Sequence, residues 1–301
     1  MRYALVLLAF AQLAIGAAAI FARFALTGGG PIAISALRLL IAAVPVAAIA
    51  LLRGAYRRRD RATEWRLAGA GIALAAHFAC WIASLRYASV AVSTLLVCTT
   101  PIWTEAFALA RTRRIRMNVL VSVLCALAGV AIVIGLPARA ETPLGIGLAL
   151  AGALAIAVYL LLVRASDARY DTLAVVGRTY PLAAIVLLIA TAATRDPIPP
   201  LGDPIAWGGI LGMALVSQLL GHTALNAVVR RSSATFVATV TLIEPAIAAL
   251  LAGLIFGERL APGTLGGAAV ILVAIALAVR AEQLNPAGRR PIIKERARVA
   301  R

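Results

Sequence analysis

The sequence predicts an all-α membrane protein whose ten transmembrane helices form two inverted five-helix repeats. The chain of 301 residues is 62% hydrophobic and 14% charged, far more apolar than a soluble domain, in which about 45–50% of residues are apolar. Apolar stretches of about 20 residues, the length that crosses a bilayer, recur between short segments rich in Arg, Pro, Gly and Asp. The basic residues gather at alternate ends of these stretches.

The ten predicted spans leave no room for a soluble domain between them. Spans 1 to 10 cover residues 3–23, 31–52, 67–86, 88–110, 118–136, 144–163, 172–193, 205–226, 232–256 and 262–280. A repeat with an odd number of spans re-enters the membrane upside down, so we predict a first repeat over 1–139, an inverted second repeat over 140–282 and a basic tail over 283–301. The first span resembles a cleaved signal peptide, but its removal would place the two termini on different sides.

The positive charge predicts the orientation of the chain. The formal net charge is +17, and with a cytoplasmic N-terminus 22 of the 29 basic residues fall on the inside and five outside, while Arg38 and Arg178 lie within spans. The positive-inside rule then places both termini in the cytoplasm. Charge confined to helix ends argues against a nucleic-acid partner. Abundant Ala and Arg with a single lysine, Lys294, are typical of a GC-rich bacterial genome, so we expect a multi-pass protein of the bacterial inner membrane.

Span 9 carries the costliest combination in the sequence, Glu244 followed by Pro245. A carboxylate in a bilayer loses solvation and a proline loses a backbone hydrogen bond, so together they mark a candidate site. Glu244 is expected near the bilayer centre, where it could couple transport to protons or bind a cargo amine; a buried structural carboxylate is the alternative. Pro101 in span 4 is the predicted counterpart of Pro245. Both prolines are expected to break their helices, which either exposes a carbonyl to cargo or simply kinks the span.

Two arginines, Arg38 in span 2 and Arg178 in span 7, lie about seven residues into their spans and hence about 10 Å from opposite faces of the membrane. Related by the inversion, they could clamp a carboxylate or phosphate or pair with Glu244. Such long side chains could also reach the nearer interface, so this alternative stays open.

Other polar and aromatic residues could form a cavity wall. His77 and Trp81 lie one turn apart in span 3, Gln218 lies in span 8 and Tyr159 in span 6. They could contact a ligand, or they could join neighbouring helices by hydrogen bonds and packing. His222 and Asn226 in span 8 could belong to the same wall, or they could simply be interfacial, because they approach the cytoplasmic end.

Motifs of enzymes and of metal or cofactor sites are missing from the sequence. It holds no Gly-x-x-x-x-Gly-Lys loop, no His-Glu-x-x-His and no Gly-x-Ser-x-Gly. The three cysteines, Cys80, Cys98 and Cys125, have no paired spacing. We therefore expect neither an enzyme nor a cofactor or metal requirement.

A family pattern is carried by the segment from Ala234 through Pro245, by Gly257-Glu258 and Gly266, and by the segment from Pro31 through Arg38 to Ala42. In these residues the chain resembles the EamA family of the drug/metabolite transporter superfamily. The first repeat departs from the family pattern, because Arg113-Arg114 stands where a glycine-glutamate pair is often found. The resemblance implies ten helices around a central cavity lined by spans 1, 3, 4, 6, 8 and 9, with spans 5 and 10 as outer supports.

The resemblance implies a secondary transporter that exports a small polar metabolite, such as an amino acid or related compound, by alternating access. The expected partners are a small-molecule substrate and the lipid bilayer, with protons as a candidate coupling ion and a homodimer as an open alternative. A broad-specificity drug effluxer of the same fold is the first alternative function, and a non-transporting membrane enzyme or scaffold is the second.

Overall fold

The computed structural model describes residues 2–57, 60–88, 90–134, 142–167, 169–257 and 263–284, and within these ranges the regular structure is entirely helical. The helices form ten segments in the predicted order, which confirms the ten-helix fold. Nine of these described segments are long and apolar enough to cross a membrane, and the tenth, Met117–Val133, is apolar but shorter. The predicted tail beyond Leu284 and the predicted motif residue Glu258 lie outside the described residues.

Four of the described spans, 1, 4, 8 and 9, consist of more than one helical segment, and each of the other six is a single helix. In order, spans 1 to 10 comprise Arg2–Gly16 with Ala18–Ala25; Pro31–Leu52; Arg61–Ser84; Val90–Val97 with Thr100–Thr112; Met117–Ile134; Pro143–Ala165; Thr172–Thr194; Pro204–Gly212, a π-helix Met213–His222 and Thr223–Val229; Ala234–Val240, a 3₁₀ turn Thr241–Ile243 and Glu244–Phe256; and Thr264–Leu284. We call the side where span 1 begins and span 10 ends the terminal face, and the other side the opposite face.

The helix packing follows a two-fold pattern. Span 2 packs along span 7, span 5 along span 10 and span 4 against span 9, while span 3 packs on span 6 and span 8 on span 1. If each span is replaced by the one five positions away, these pairs exchange into one another. Each half of the chain is therefore bound mainly through contacts with the other half.

Spans 5 and 10 approach so closely that their backbones touch. A Cβ atom placed on Gly267 would lie 2.6 Å from the carbonyl oxygen of Gly129, and one placed on Gly129 would lie 2.9 Å from that of Gly267. Only glycine fits both positions, and such small residues let helices associate in lipid, where no hydrophobic force drives them together. This pair packs against spans 4 and 9, where Ile271 and Ala274 of span 10 join Leu242 of span 9 in one apolar cluster.

The central pair, spans 2 and 7, is fastened at both ends. At the opposite face, the carboxylate of Asp196 accepts hydrogen bonds from the backbone N–H groups of Ile32 and Ala33 at 2.8 and 2.9 Å, which caps the start of span 2. At the terminal face, the hydroxyl of Tyr56 donates to the carbonyl of Gly177 at 2.7 Å. The residues that follow each span thus hold the beginning of its partner.

We expect Asp196→Ala to lower the thermal unfolding midpoint of the detergent-solubilised protein. It leaves two N–H groups at the start of span 2 without their acceptor, at a cost of about 1–2 kcal/mol. Asp196→Asn retains an oxygen acceptor and should lose less. Unfolding is measured by tryptophan fluorescence. Equal midpoints for the wild type and both variants would contradict this role of Asp196.

Candidate functional site

A cavity of about 100 Å³ lies inside the bundle, large enough for several water molecules or part of a small solute. Spans 1, 2, 3, 4, 6, 8 and 9 all line it; these are the spans that the family resemblance implies, with span 2 added. Neither span 5 nor span 10 contributes a lining residue. Its polar lining includes Arg38, His77, Thr94, Thr100, His222 and Glu244.

The breaks in spans 4 and 9 both border this cavity. Pro101 and Pro245 stand in the first turn of the second helical segment of each span, where a proline sacrifices no hydrogen bond. The hydroxyl of Thr100 donates to the carbonyl of Val97 at 2.8 Å, and that of Thr241 donates to the carbonyl of Ala238 at 2.8 Å. Threonine side chains therefore satisfy carbonyls that the broken helices leave without an amide partner.

The structure distinguishes the two alternatives that the sequence left open at Pro245, a carbonyl exposed to cargo or a simple kink. The carbonyl concerned is that of Thr241, one turn earlier. In the structure that carbonyl accepts the N–H of Glu244, because the chain tightens into a 3₁₀ turn over Thr241–Ile243. The cavity therefore meets side chains at this break rather than a free carbonyl.

The two halves of each broken span have different neighbours. At the terminal face, the segments Thr100–Thr112 and Ala234–Val240 pack together, and the hydroxyl of Thr235 donates to Glu105 at 3.3 Å. Glu105 is also paired with Arg116. The other halves, Val90–Val97 and Glu244–Phe256, are not among the helix pairs in extensive contact within the described residues. Spans 4 and 9 therefore meet on the terminal side of the cavity.

Glu244 is the carboxylate of the cavity. It is the eleventh residue of the 23-residue span 9 and is half-buried. Within the described ranges, no side chain or backbone group forms a hydrogen bond or ion pair with its carboxylate. The N-terminus of the segment Glu244–Phe256 favours negative charge, but a desolvated carboxylate still requires a proton, a cation or water to balance it.

Arg38 is fully buried in the wall of the same cavity. Its Nη2 donates to Oε1 of Gln218 at 2.9 Å, and its guanidinium carbon lies 3.9 Å from the ring centroid of Phe78. Its Nε and Nη1 atoms have no hydrogen-bond partner in the part of the chain that the structure describes. Gln218 is therefore a neighbour that positions Arg38 rather than a residue of the cavity surface.

Histidine and tryptophan rings form another part of the wall. Nδ1 of His77 lies 2.9 Å from the carbonyl oxygen of Gly152; we assign the proton to this nitrogen because the carbonyl can only accept. The ring of His77 stacks on Trp81 with 6.2 Å between centroids and 9° between planes. The Nε2 atom of His77 and the face of Trp81 thus remain available in a wall that both residues line.

His222 also lines the cavity, which is one of the roles that the sequence left open for it. Its ring packs edge-on against Phe78, with 5.5 Å between centroids. His222 ends the π-helix Met213–His222, whose wider turn changes which side chains face inward. No pattern of apolar residues signals a π-helix in a segment that is apolar on every side.

Arg178 does not line the cavity. Its Nε donates to Glu64 at 2.8 Å, and its Nη1 donates to the carbonyls of Ala55 and Ala174 at 2.9 and 3.0 Å. Tyr170 donates to the other oxygen of Glu64 at 2.8 Å. Arg178 therefore belongs to a satisfied cluster at the terminal face, which agrees with the alternative that its side chain reaches the nearer interface.

Tyr159 also lies outside the cavity lining. It is fully buried, and its hydroxyl donates to Oδ1 of Asn226 at 2.7 Å, which joins spans 6 and 8. Of the predicted residues, the structure brings Glu244, Arg38, His77 and Trp81 together around one cavity. It places Gln218 behind Arg38, and Tyr159 and Arg178 among the helix contacts.

Comparisons with known proteins add a family and a fold. The sequence model of the EamA-like transporter family matches residues 2–135 and 143–280, one match for each half. A solved structure described as "Crystal structure of protein" has 19% sequence identity and a TM-score of 0.78, and the match covers 94% of this chain and 99% of that one. At that identity the likeness shows the fold alone. Among curated proteins, the comparison found none that matches.

We expect Arg178→Met and Arg38→Met to affect stability differently. Arg178→Met removes a donor from Glu64 and from two carbonyls, which should cost about 1–3 kcal/mol. Arg38→Met removes a buried charge with partnerless N–H groups, so the unfolding midpoint should stay unchanged or rise. Thermal unfolding in detergent measures both. Equal losses would contradict the distinction between a satisfied and an unsatisfied arginine.

Proposed function

Because the chain belongs to the EamA-like transporter family and is a membrane transporter of the drug/metabolite transporter superfamily, we propose that it exports a small polar metabolite, such as an amino acid or a related compound. The transport is secondary and uses alternating access of the two halves. The family supports export, and the positive charge on the terminal face supports a bacterial inner-membrane protein with both termini in the cytoplasm.

One observation carries this proposal, namely a cavity inside the bundle where polar groups of both halves have no hydrogen-bond partner among the described residues. The first half supplies Nε and Nη1 of Arg38, and the second supplies Nδ1 of His222 and the carboxylate of Glu244. Buried polar groups are normally satisfied because an unsatisfied one costs about 1–3 kcal/mol. Partnerless groups gathered around one space are complementary to a polar ligand that occupies it.

The packing pattern supports alternating access. Five spans in each half invert the second half relative to the first, and the contacts between halves follow a two-fold pattern. Spans 4 and 9 are broken beside the cavity, and within the described residues their extensive contact lies on its terminal side. In an inverted-repeat transporter, an exchange of these contacts between the two faces opens the site alternately.

We assign to Glu244 a role in coupling or in cargo binding. A carboxylate without a protein partner inside a membrane is stabilised when it takes up a proton or meets the cationic group of a cargo. Both events neutralise the same charge, which supports protons as the coupling ion. A coupling of this kind requires no further cofactor.

The chemistry of the cavity favours a metabolite over a broad range of cationic drugs. A drug effluxer of the same fold would use the Glu244 carboxylate and the apolar wall, but Arg38 places a positive charge in the same small space. Large organic cations would be repelled by this guanidinium. A scaffold or enzyme role has no such support, since the family consists of transporters.

The proposed export is tested by an unbiased comparison of metabolites inside and outside cells with and without the gene. We expect at least one small polar metabolite to accumulate outside when the full chain is expressed. Unchanged profiles together with unchanged resistance to unrelated cationic compounds would contradict the proposed function.

We expect Glu244→Gln to abolish the pH dependence of transport of the metabolite so identified. The amide cannot exchange a proton near neutral pH, so the rate should become nearly flat with pH and fall by about tenfold or more. Glu282→Gln is the matched control, because Glu282 lies outside the cavity and accepts hydrogen bonds from the N–H and hydroxyl of Ser233. A Glu244→Gln variant that inserts normally and keeps the wild-type rate and pH profile would rule out the role.

A further inference from the structure

We propose that Arg38 is an acid-binding subsite and that the cargo therefore carries a carboxylate. This inference deepens the proposed export function and rests on it. It assigns the carboxylate end of the cargo to the side chain of Arg38.

The guanidinium of Arg38 is fixed in position from two sides. Gln218, in span 8, accepts a hydrogen bond from Nη2, and the ring of Phe78, in span 3, lies against the guanidinium face. Span 2 itself is capped by Asp196 and packed along span 7. The planar group is therefore held by both halves of the chain before any ligand arrives, which is the preorganised state that strengthens binding.

Part of the fixed guanidinium has no hydrogen-bond acceptor among the described residues. Nε and Nη1 have no acceptor among the described residues, and the whole side chain is buried. In the part of the chain that the structure describes, no carboxylate forms an ion pair with Arg38; the pairs present there involve Arg116, Arg169 and Arg178. A buried arginine with free N–H donors in a cavity wall is complementary to an oxyanion, since its geometry matches carboxylate and phosphate oxygens.

The rest of the cavity selects a carboxylate over a phosphate. Glu244 lines the same space as Arg38, so a doubly charged phosphate would meet one positive and one negative group. A zwitterion instead places its carboxylate at Arg38 and its ammonium group toward Glu244, which leaves both charges compensated. A cargo with no net charge fits a cavity whose charged groups cancel.

The apolar part of the wall indicates the chemistry of the rest of the cargo. Ile15, Val97, Leu160 and Leu225 line the cavity beside Trp81, and these four aliphatic side chains offer no hydrogen bond to a polar group. Together with the ring of Trp81 they favour compact amino acids with apolar or aromatic side chains.

The experiment measures binding to the purified full-length protein in detergent, by thermal stabilisation and by calorimetry. The probes are L-leucine and L-phenylalanine, the amide of each, the amine that each gives on loss of its carboxyl group, and inorganic phosphate. We expect the amino acids to bind at least about tenfold more tightly than their amides and amines, because only they carry the carboxylate. Phosphate should not bind.

Variants of Arg38 test whether its guanidinium group binds the cargo carboxylate. Arg38→Gln should weaken amino-acid binding about ten- to a hundredfold and equalise amino acid and amide, as expected for the loss of a charge-assisted hydrogen bond. Arg38→Lys retains the charge and should keep a preference for the acid at lower affinity. Arg111→Gln removes an exposed arginine and should match wild type.

The acid-over-amide preference separates a binding role from a structural one, because a merely destabilised protein loses both ligands equally. The proposal is overturned by wild-type protein that binds amides as tightly as acids, by a preference that persists in Arg38→Gln, by stabilisation with phosphate alone, or by binding of no probe. Should Arg38→Gln fail to give folded protein, loss of the acid preference in Arg38→Lys with an unchanged charge would overturn it too. Export in the metabolite comparison is read independently, so a failed subsite leaves the transport function standing.

Discussion

Polar groups inside a membrane must form hydrogen bonds within the protein, and this constraint governs the structure. Helices satisfy most backbone groups, and the remaining groups show how the fold is built. Where span 2 begins, the carboxylate of Asp196 supplies the missing acceptor. Where spans 4 and 9 break, the hydroxyls of Thr100 and Thr241 bind carbonyls of the preceding turn. Around the cavity, Arg38 and Glu244 have polar groups that form no hydrogen bond with the described residues.

Much of the fold could be predicted from the sequence because hydrophobic length and charge asymmetry are strong signals in membrane proteins. The number of spans, their order and the interruptions beside Pro101 and Pro245 agree with the structure. Glu244 and Arg38 were identified because a charge deep in a span is costly wherever it points. In both cases the signal is local to the span and does not depend on its neighbours.

The orientation of side chains around each helix could not be predicted in the same way. A span that is apolar on both its lipid side and its protein side has no periodic placement of polar residues that would distinguish the two sides. Arg178 therefore looked equivalent to Arg38, although its partner Glu64 is 114 residues away in sequence and lies at the terminal face. The sequence left open whether His222 faces the cavity, because nothing in it signals the π-helix that ends at this residue. Tyr159 and Asn226 meet only because spans 6 and 8 pack together.

The fastening of spans 2 and 7 at both ends has a consequence for how such a carrier can diversify. The residues that hold this pair together, such as Asp196, Tyr56 and the cluster around Arg178, are separate from the apolar residues that shape the cavity. A substitution in the wall at Val97, which is only partly buried, therefore leaves these fastenings intact. Part of the stability of the fold is encoded at positions that do not line the cavity, so the wall can change while this frame is kept.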